Sequence, residues 1–280
     1  MQSDEKRVLV TGATGFVGSA LSPALQAAGW QVRGLSRNPE RARKRWPRYE
    51  WVSGDVTDEA TLAQALAGCT AAFYLVHGMD EGDDFAARER EGAKAFANAA
   101  ATAGLERIVY LGGLAPPPGV EVSAHLRSRL EVGEILRAGR VPTIELRASM
   151  IVGRGSLSWI IVRDLAARLP FMVLPAWLRS RTQPIAIDDV VVGLVRALSL
   201  GLSPAGGSAW FDIPGPDILS GKEILDESAR VLGFAPPFQI EVPMLTPRLS
   251  SLWLRFVTRA HWSTARQVVL GLAHDLLAHD

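Results

Sequence analysis

The chain has 280 residues, 48% of them hydrophobic, and carries 30 Lys+Arg against 29 Asp+Glu for a formal net charge of +1. That length and apolar content suit one or two compact domains and argue against a disordered chain, while the near-zero charge argues against a broad nucleic-acid-binding surface. The single cysteine, Cys69, excludes an internal disulfide and a cysteine-rich metal site and points to a reducing compartment.

Met1 to Arg7 is polar and charged, without the apolar run of a secretory leader. The longest apolar candidate, Leu157 to Leu178, is interrupted by Arg163, Asp164 and Arg168. No stretch therefore reaches the ~18–20 uncharged apolar residues of a spanning helix. The expectation is a soluble, cytoplasmic protein with no transmembrane segment.

In chain order, Arg7 to Thr11 reads as a strand and Phe16 to Ala28 as a helix that Pro23 should kink or weaken. Gln31 to Ser36 and Glu50 to Gly54 read as strands, Glu59 to Ala67 as a helix, and Ala71 to Val76 as a buried strand. A long alanine-rich helix over Phe85 to Ala103, a strand over Arg107 to Leu111, a helix over Ser128 to Ala138 and a strand over Thr143 to Ile151 follow. This alternation predicts an α/β fold, a doubly wound parallel sheet. The second half is less regular. Helical patterns at Ser158 to Arg168, Asp189 to Leu200 and Gly221 to Leu232 alternate with short strands near Pro184 to Ile187 and Ala209 to Ile213. The last 40 residues hold Trp253 and Trp262 in a pattern that reads as a helix pair. The expected division is a dinucleotide-binding core over 1–152 and a mixed C-terminal part over 153–280, in which 183–213 returns to the core.

The strongest motif is Val8 to Gly18, VLVTGATGFVG, with Gly12, Gly15 and Gly18 spaced by three between a strand and a helix. The first glycine permits the tight turn, the second admits a pyrophosphate to the backbone, and the third lets the helix pack on the sheet. Thr14, Phe16 and Val17 sit where the helix N-terminus presents its N–H groups to an anion. At the end of the second strand an NAD-preferring site places an acid, whereas this chain has Ser36 and Arg37. A guanidinium without a competing carboxylate can hold a 2′-phosphate, which favours NADP(H) over NAD(H). Asp55 and Val56 are placed to meet the adenine, although Asp55 also suits a helix cap. Leu75, Val76 and His77 end the fourth strand on the edge that should line the cofactor cleft.

Thr11 to Gly18, Ser36-Arg37-Asn38-Pro39, Gly54-Asp55-Val56, Tyr110 to Leu114 (YLGGL) and Gln183 to Val190 (QPIAIDDV) carry a family likeness. On these residues the chain resembles the short-chain dehydrogenase/reductase superfamily, in its atypical, NmrA-like branch. The resemblance implies a Rossmann core with a small C-terminal substrate-binding part. It also implies a catalytic Ser after the fifth strand, then a Tyr and a Lys four residues apart on the next helix. Here Gly112 and Gly113 occupy the Ser region, His125 and Arg129 match the Tyr–Lys spacing, and no tyrosine follows Tyr110.

Three readings stay open. His125 can replace the tyrosine as acid/base, since an unperturbed imidazole pKa of ~6.5 suits proton transfer near neutral pH, with Arg129 on the ribose. Reduction of an activated double bond needs no strong acid. A catalytically silent sensor of NADP(H), signalling through a protein partner, is the third. The site residues suggested are thus His125 and Arg129 for catalysis and the glycine loop, Ser36, Arg37, Asp55, Val56, Leu75 to His77, Gly112 and Gly113 for the cofactor. A sugar-nucleotide epimerase ranks below these because the Tyr–Lys pair is missing.

Other constellations are weaker. Asp188-Asp189 reads as an N-cap pair and Ser123 as a helix cap. The histidines at 77, 125, 261, 274 and 279 show no metal-ligand spacing, so no metal is expected. His274 and His279 read as solvated residues of a terminal helix. Met150, Trp159, Phe171, Met172 and Trp177 suit an apolar substrate wall or plain core. The substrate expected is a small, largely apolar carbonyl compound or activated alkene, with a homodimer left open.

Overall fold

The computed structural model describes residues 6–77, 84–117, 119–120, 122–168, 171–202, 207–235, 237–242 and 274–279. Its first strand, β1 (Arg7–Thr11), is apolar and buried over Val8 to Val10, as a strand covered on both faces requires. Around it lie β2 (Gln31–Ser36), β3 (Glu50–Ser53), β4 (Ala71–Tyr74), β5 (Arg107–Gly113) and β6 (Thr143–Ala148). With β11 (Ala209–Asp212) at the edge they form a seven-stranded sheet of order β11-β6-β5-β4-β1-β2-β3, parallel throughout. This is the expected doubly wound α/β fold. The strand order reverses between β1 and β4, whose register pairs Val10 with Phe73, and the crevice outside such a switch point is where open α/β sheets bind ligands.

Helices cover both faces. On one, α1 (Phe16–Ala27) and α7 (Ile187–Ala197) pack over Val8, Val10, Phe73, Ile144 and Leu146. On the other, α3 (Glu59–Leu66), α4 (Phe85–Thr102) and α5 (Ala124–Ala138) pack over Leu9, Ala72, Tyr74, Ile108 and Tyr110. Fully buried side chains such as Phe73, Phe96, Leu21 and Ile108 each contribute on the order of 1.5–3 kcal/mol relative to exposure.

Several boundaries differ from expectation. The helix α1 runs unbroken through Pro23, which lies on its exposed side. The residues after β2 form a helix not marked in the sequence reading, α2 (Pro39–Arg45), whose N-cap Asn38 accepts from the Arg41 N–H. Its Glu40 sits in the first turn and Arg43 to Arg45 in the last, the arrangement the helix dipole favours. The strand expected over Thr143 to Ile151 stops at Ala148. There Ser149 donates to the Gln183 carbonyl, Ile185 N–H donates to Met150 O, and β7 (Ile151–Val152) pairs instead with β10 (Ile185–Ala186). α5 begins at Ala124 rather than Ser128, because Ser123 caps it by accepting from the Leu126 N–H.

Beyond β7, α6 (Leu157–Arg168) and α8 (Gly221–Val231) hold a small core of Met150, Val162, Met172, Ile224 and Leu225. Short pairs border it: β8 (Phe171–Pro175) with β13 (Phe238–Val242), and β9 (Arg181–Thr182) with β12 (Leu219–Ser220). Trp253, Trp262 and the proposed C-terminal helix pair lie outside the described residues. The segment 274–279 is extended and crosses this region. Leu276 N–H donates to Arg181 O, Ala278 N–H to Gln183 Oε1, and His279 N–H to Asp212 Oδ2. Among the described residues no helix is long and apolar enough to cross a membrane.

Candidate functional site

The glycine turn leaves β1 at the switch point. Thr11 Oγ1 donates to Phe73 O and accepts from Leu75 N–H, tying the ends of β1 and β4 together. Gly12 then adopts φ +70°, and a Cβ there would lie 2.6 Å from Leu75 O, so only glycine fits. A Cβ on Gly18 would lie 2.3 Å from Gly12 O, so the third glycine lets α1 close onto the turn. At Gly15, the N-cap, the nearest atom to an added Cβ is Gly12 O at 3.2 Å, and no side chain caps the helix. Thr14 is exposed, and Phe16 turns its ring toward Gly153 and Gly155 after β7. A turn of glycines below an uncapped helix start is a cradle for an anionic group, and these residues fit a dinucleotide pyrophosphate.

The other expected cofactor residues lie along the same C-terminal edge of the sheet. Ser36 ends β2, its hydroxyl accepting from Asn38 N–H and its carbonyl from Gly54 N–H. Arg37 follows, exposed. Asp55 does not cap α3: it accepts from the N–H and hydroxyl of Thr57, and Asp58 caps the helix through Ala60 and Thr61 N–H. Val56, Leu75 and Val76 are half-buried against the two cores.

Gly112 and Gly113 close β5 on this edge. A Cβ on Gly112 would lie 2.5 Å from Glu145 Oε1, and one on Gly133 would lie 2.6 Å from both Glu145 oxygens. The two glycines therefore make room for a fully buried carboxylate, which Arg137 Nε meets at 2.8 Å and Arg147 Nε at 2.9 Å. Arg147 also lies over the Trp210 ring, 4.2 Å from its centroid. The serine region of the resemblance is thus filled by glycine for a packing reason.

On α5, Arg129 reaches the end of β5 and donates to Leu111 O and Gly112 O, both at 3.3 Å. His125, one turn earlier, stacks on Phe85 at 4.3 Å between centroids and meets His77 edge-on at 5.8 Å. His77 Nδ1 lies 2.7 Å from Glu89 Oε1, and the Ser128 hydroxyl donates to Glu89 Oε2. Neither nearby tyrosine replaces the missing phenol. Burial pushes the Tyr74 and Tyr110 hydroxyls far above their ordinary pKa, and Tyr110 donates to Arg129 O.

A family model described as NAD(P)H-binding matches residues 12–166. Over 234 residues the chain is 32% identical to the (4-alkanoyl-5-oxo-2,5-dihydrofuran-3-yl)methyl phosphate reductase of Streptomyces griseus, covering 81% of this chain and 74% of that one. The chain belongs to the NAD(P)H-binding short-chain dehydrogenases/reductases. A further relative, the ceramide reductase of Caulobacter vibrioides, is 29% identical over 248 residues, 87% of this chain and 76% of its own. The UDP-glucuronic acid 4-epimerase of Bacillus cereus, solved in complex with NAD, superposes with a TM-score of 0.67 at 16% identity, over 94% of this chain and 99% of that one. At that identity the likeness establishes the fold alone.

Within this short-chain dehydrogenase/reductase framework, other expected features stand elsewhere. Asp188 and Asp189 are exposed residues in the first turn of α7, whose N-cap is Ala186, so they are not a cap pair. His274 and His279 are exposed but belong to the extended segment rather than a helix, and His279 Nε2 lies 2.9 Å from Ala115 O. Met150 and Met172 are buried in the small core with Trp159 packed against it, while Phe171 is 71% exposed and pairs with Phe238. Trp177's side chain lies outside the described residues. A cavity of about 400 Å³ between Trp30, Arg48 and Glu50 opens at the opposite, N-terminal edge of the sheet. Sequence reading missed Glu89, Ser128 and Glu145. Only Ser128 left a signal there, lying three residues after His125 on one helix face.

Proposed function

We propose that the chain is an NADP(H)-dependent reductase acting on a small, largely apolar carbonyl compound or activated alkene. The observation that carries this reading is the pairing of two ends on one sheet edge. An acid-free β2 terminus with Arg37 exposed lies at one, and His125 beside Arg129 at the other. In this reading the turn from Gly12 through Thr14, Gly15, Phe16 and Val17 to Gly18 holds the pyrophosphate, and Ser36 with Arg37 holds the 2′-phosphate. Asp55 and Val56 meet the adenine. Leu75, Val76, His77, Gly112 and Gly113 line the remainder of the cleft.

When bound, the reduced nicotinamide supplies a hydride to the substrate carbon. Arg129, anchored on the β5 carbonyls, presents its guanidinium to ribose hydroxyls. His125 donates the proton to the substrate oxygen, or to the α-carbon of a reduced alkene. Residues 1–152 serve the cofactor in this reading, and 153–280 the substrate. The reductase names of relatives matching most of the chain favour an enzyme over a silent sensor.

The test is to mix the purified protein with NADPH or NADH and a panel of ketones, enals and quinones and to follow nicotinamide absorbance. Consumption of NADPH, faster than of NADH, is expected. Tight NADPH binding without consumption over the whole panel would overturn the reading.

A further inference from the structure

We propose that His77, Glu89 and Ser128 form a proton relay that serves His125. The proposal rests on the reductase reading above and deepens it by naming the source of the proton. His77 follows β4 with its side chain 24% exposed, and the Glu89 side chain on α4 is 11% exposed. A carboxylate only accepts, so the 2.7 Å contact to Glu89 Oε1 puts a proton on His77 Nδ1 and fixes the ring's orientation. Ser128, donating to the other oxygen, holds the carboxylate itself. This is the arrangement in which an outer carboxylate orients an imidazole and stabilises its charged form.

The other partner of His77 is the His125 ring, met edge-on. Among the described residues, Glu89 from α4 and His125 from α5 are the titratable groups in contact with His77. Two adjacent imidazolium ions repel, and Glu89 offsets the charge of one of them.

The step balances as follows. One hydride and one proton reach the substrate for each NADPH oxidised. The proton leaving His125 is replaced from His77 Nε2, since Nδ1 is engaged by Glu89, by way of one bridging water, and the same nitrogen is recharged from solvent on the exposed side of His77. Glu89 remains ionised throughout. His77, Glu89 and Ser128 are thus positioning and relay residues, and His125 alone meets the reacting oxygen.

The experiment has two arms on the full chain. In the first, nitrogen-15 NMR of histidine-labelled protein without substrate follows the two rings. The expected result is a His77 Nδ1–H tautomer whose ring signals, and those of His125, change in Glu89→Gln. A His77 Nε2–H tautomer, or His125 ring signals indifferent to Glu89→Gln, overturns the relay. In the second arm, turnover of a substrate found in the panel should fall about 10–100-fold in Glu89→Gln and His77→Gln, the usual loss on removing an outer partner. In Glu89→Gln, KM and NADPH affinity should stay unchanged and the solvent deuterium effect on kcat should rise. Unchanged kcat and isotope effect in a folded variant overturn the relay and leave the reductase reading intact. A wild type that oxidises no NADPH sinks the reductase reading, while the NMR arm still decides the His77–Glu89–His125 coupling.

Discussion

Arg37 shows how much one exposed side chain can decide. It stands after β2 with no acid beside it in the sequence, and the helix that follows carries its own cations at the far end. A charge-assisted bond to a phosphate is worth about 1.5–3 kcal/mol, or roughly tenfold and upward in affinity. Arg37→Asp should therefore weaken NADPH binding by at least about tenfold and leave NADH binding far less affected. Fluorescence titration with the two dinucleotides measures this, and equal losses would remove the argument for NADP(H) preference. Gly12 was legible at this scale because its spacing declared it. Glu89 was not, because its partners His77 and Ser128 come from β4 and α5 and meet it only in the fold.

At the scale of elements, β5, β6 and α5 are joined by one buried acid. Removing a partner from a buried ion pair leaves uncompensated charge and costs about 3–5 kcal/mol. Glu145→Ala should lower unfolding stability in urea by that order, since Arg137 and Arg147 both lose their carboxylate. A loss well under 1 kcal/mol would mean the two guanidinium groups find other acceptors. Helix α8 makes a pH prediction. The Ser220 N–H and hydroxyl hold the Glu223 carboxyl below its ordinary value of 4.5, within a capping box. A lowered folded value means this stabilisation is complete above pH 4.5 and fades as the pH falls through Glu223's own value. Amide exchange in the first turn of α8 should accelerate in acid, and Glu223→Gln should flatten that dependence. The first six strands were legible because parallel strands covered on both faces read as continuous apolar runs. The helix α2 was not, because PERARKR has almost no apolar residue to mark a period, and its evidence lies in Asn38 and Pro39 instead. The break after Ala148 is set by β10, more than thirty residues further on.

For the whole molecule, the switch between β1 and β4 collects turns from β1, β2, β3, β4 and β5 along one edge. Sequence reading placed those turns correctly because the alternation of strand and helix already implies which ends share an edge. It gave less for the second half, where two-stranded pairs and the segment 274–279 depend on partners far apart in the chain. The buried carboxylate bears on how such a chain can change over generations. Introducing a serine at position 112 while Glu145 is present places a Cβ 2.5 Å from Oε1. Replacing Glu145 first strands the buried guanidinium of Arg147 and the half-buried one of Arg137. Each single step is therefore a loss, so a serine becomes tolerable at position 112 only if the acid and its arginines are exchanged together, and whatever chemistry the site performs is done with glycine there.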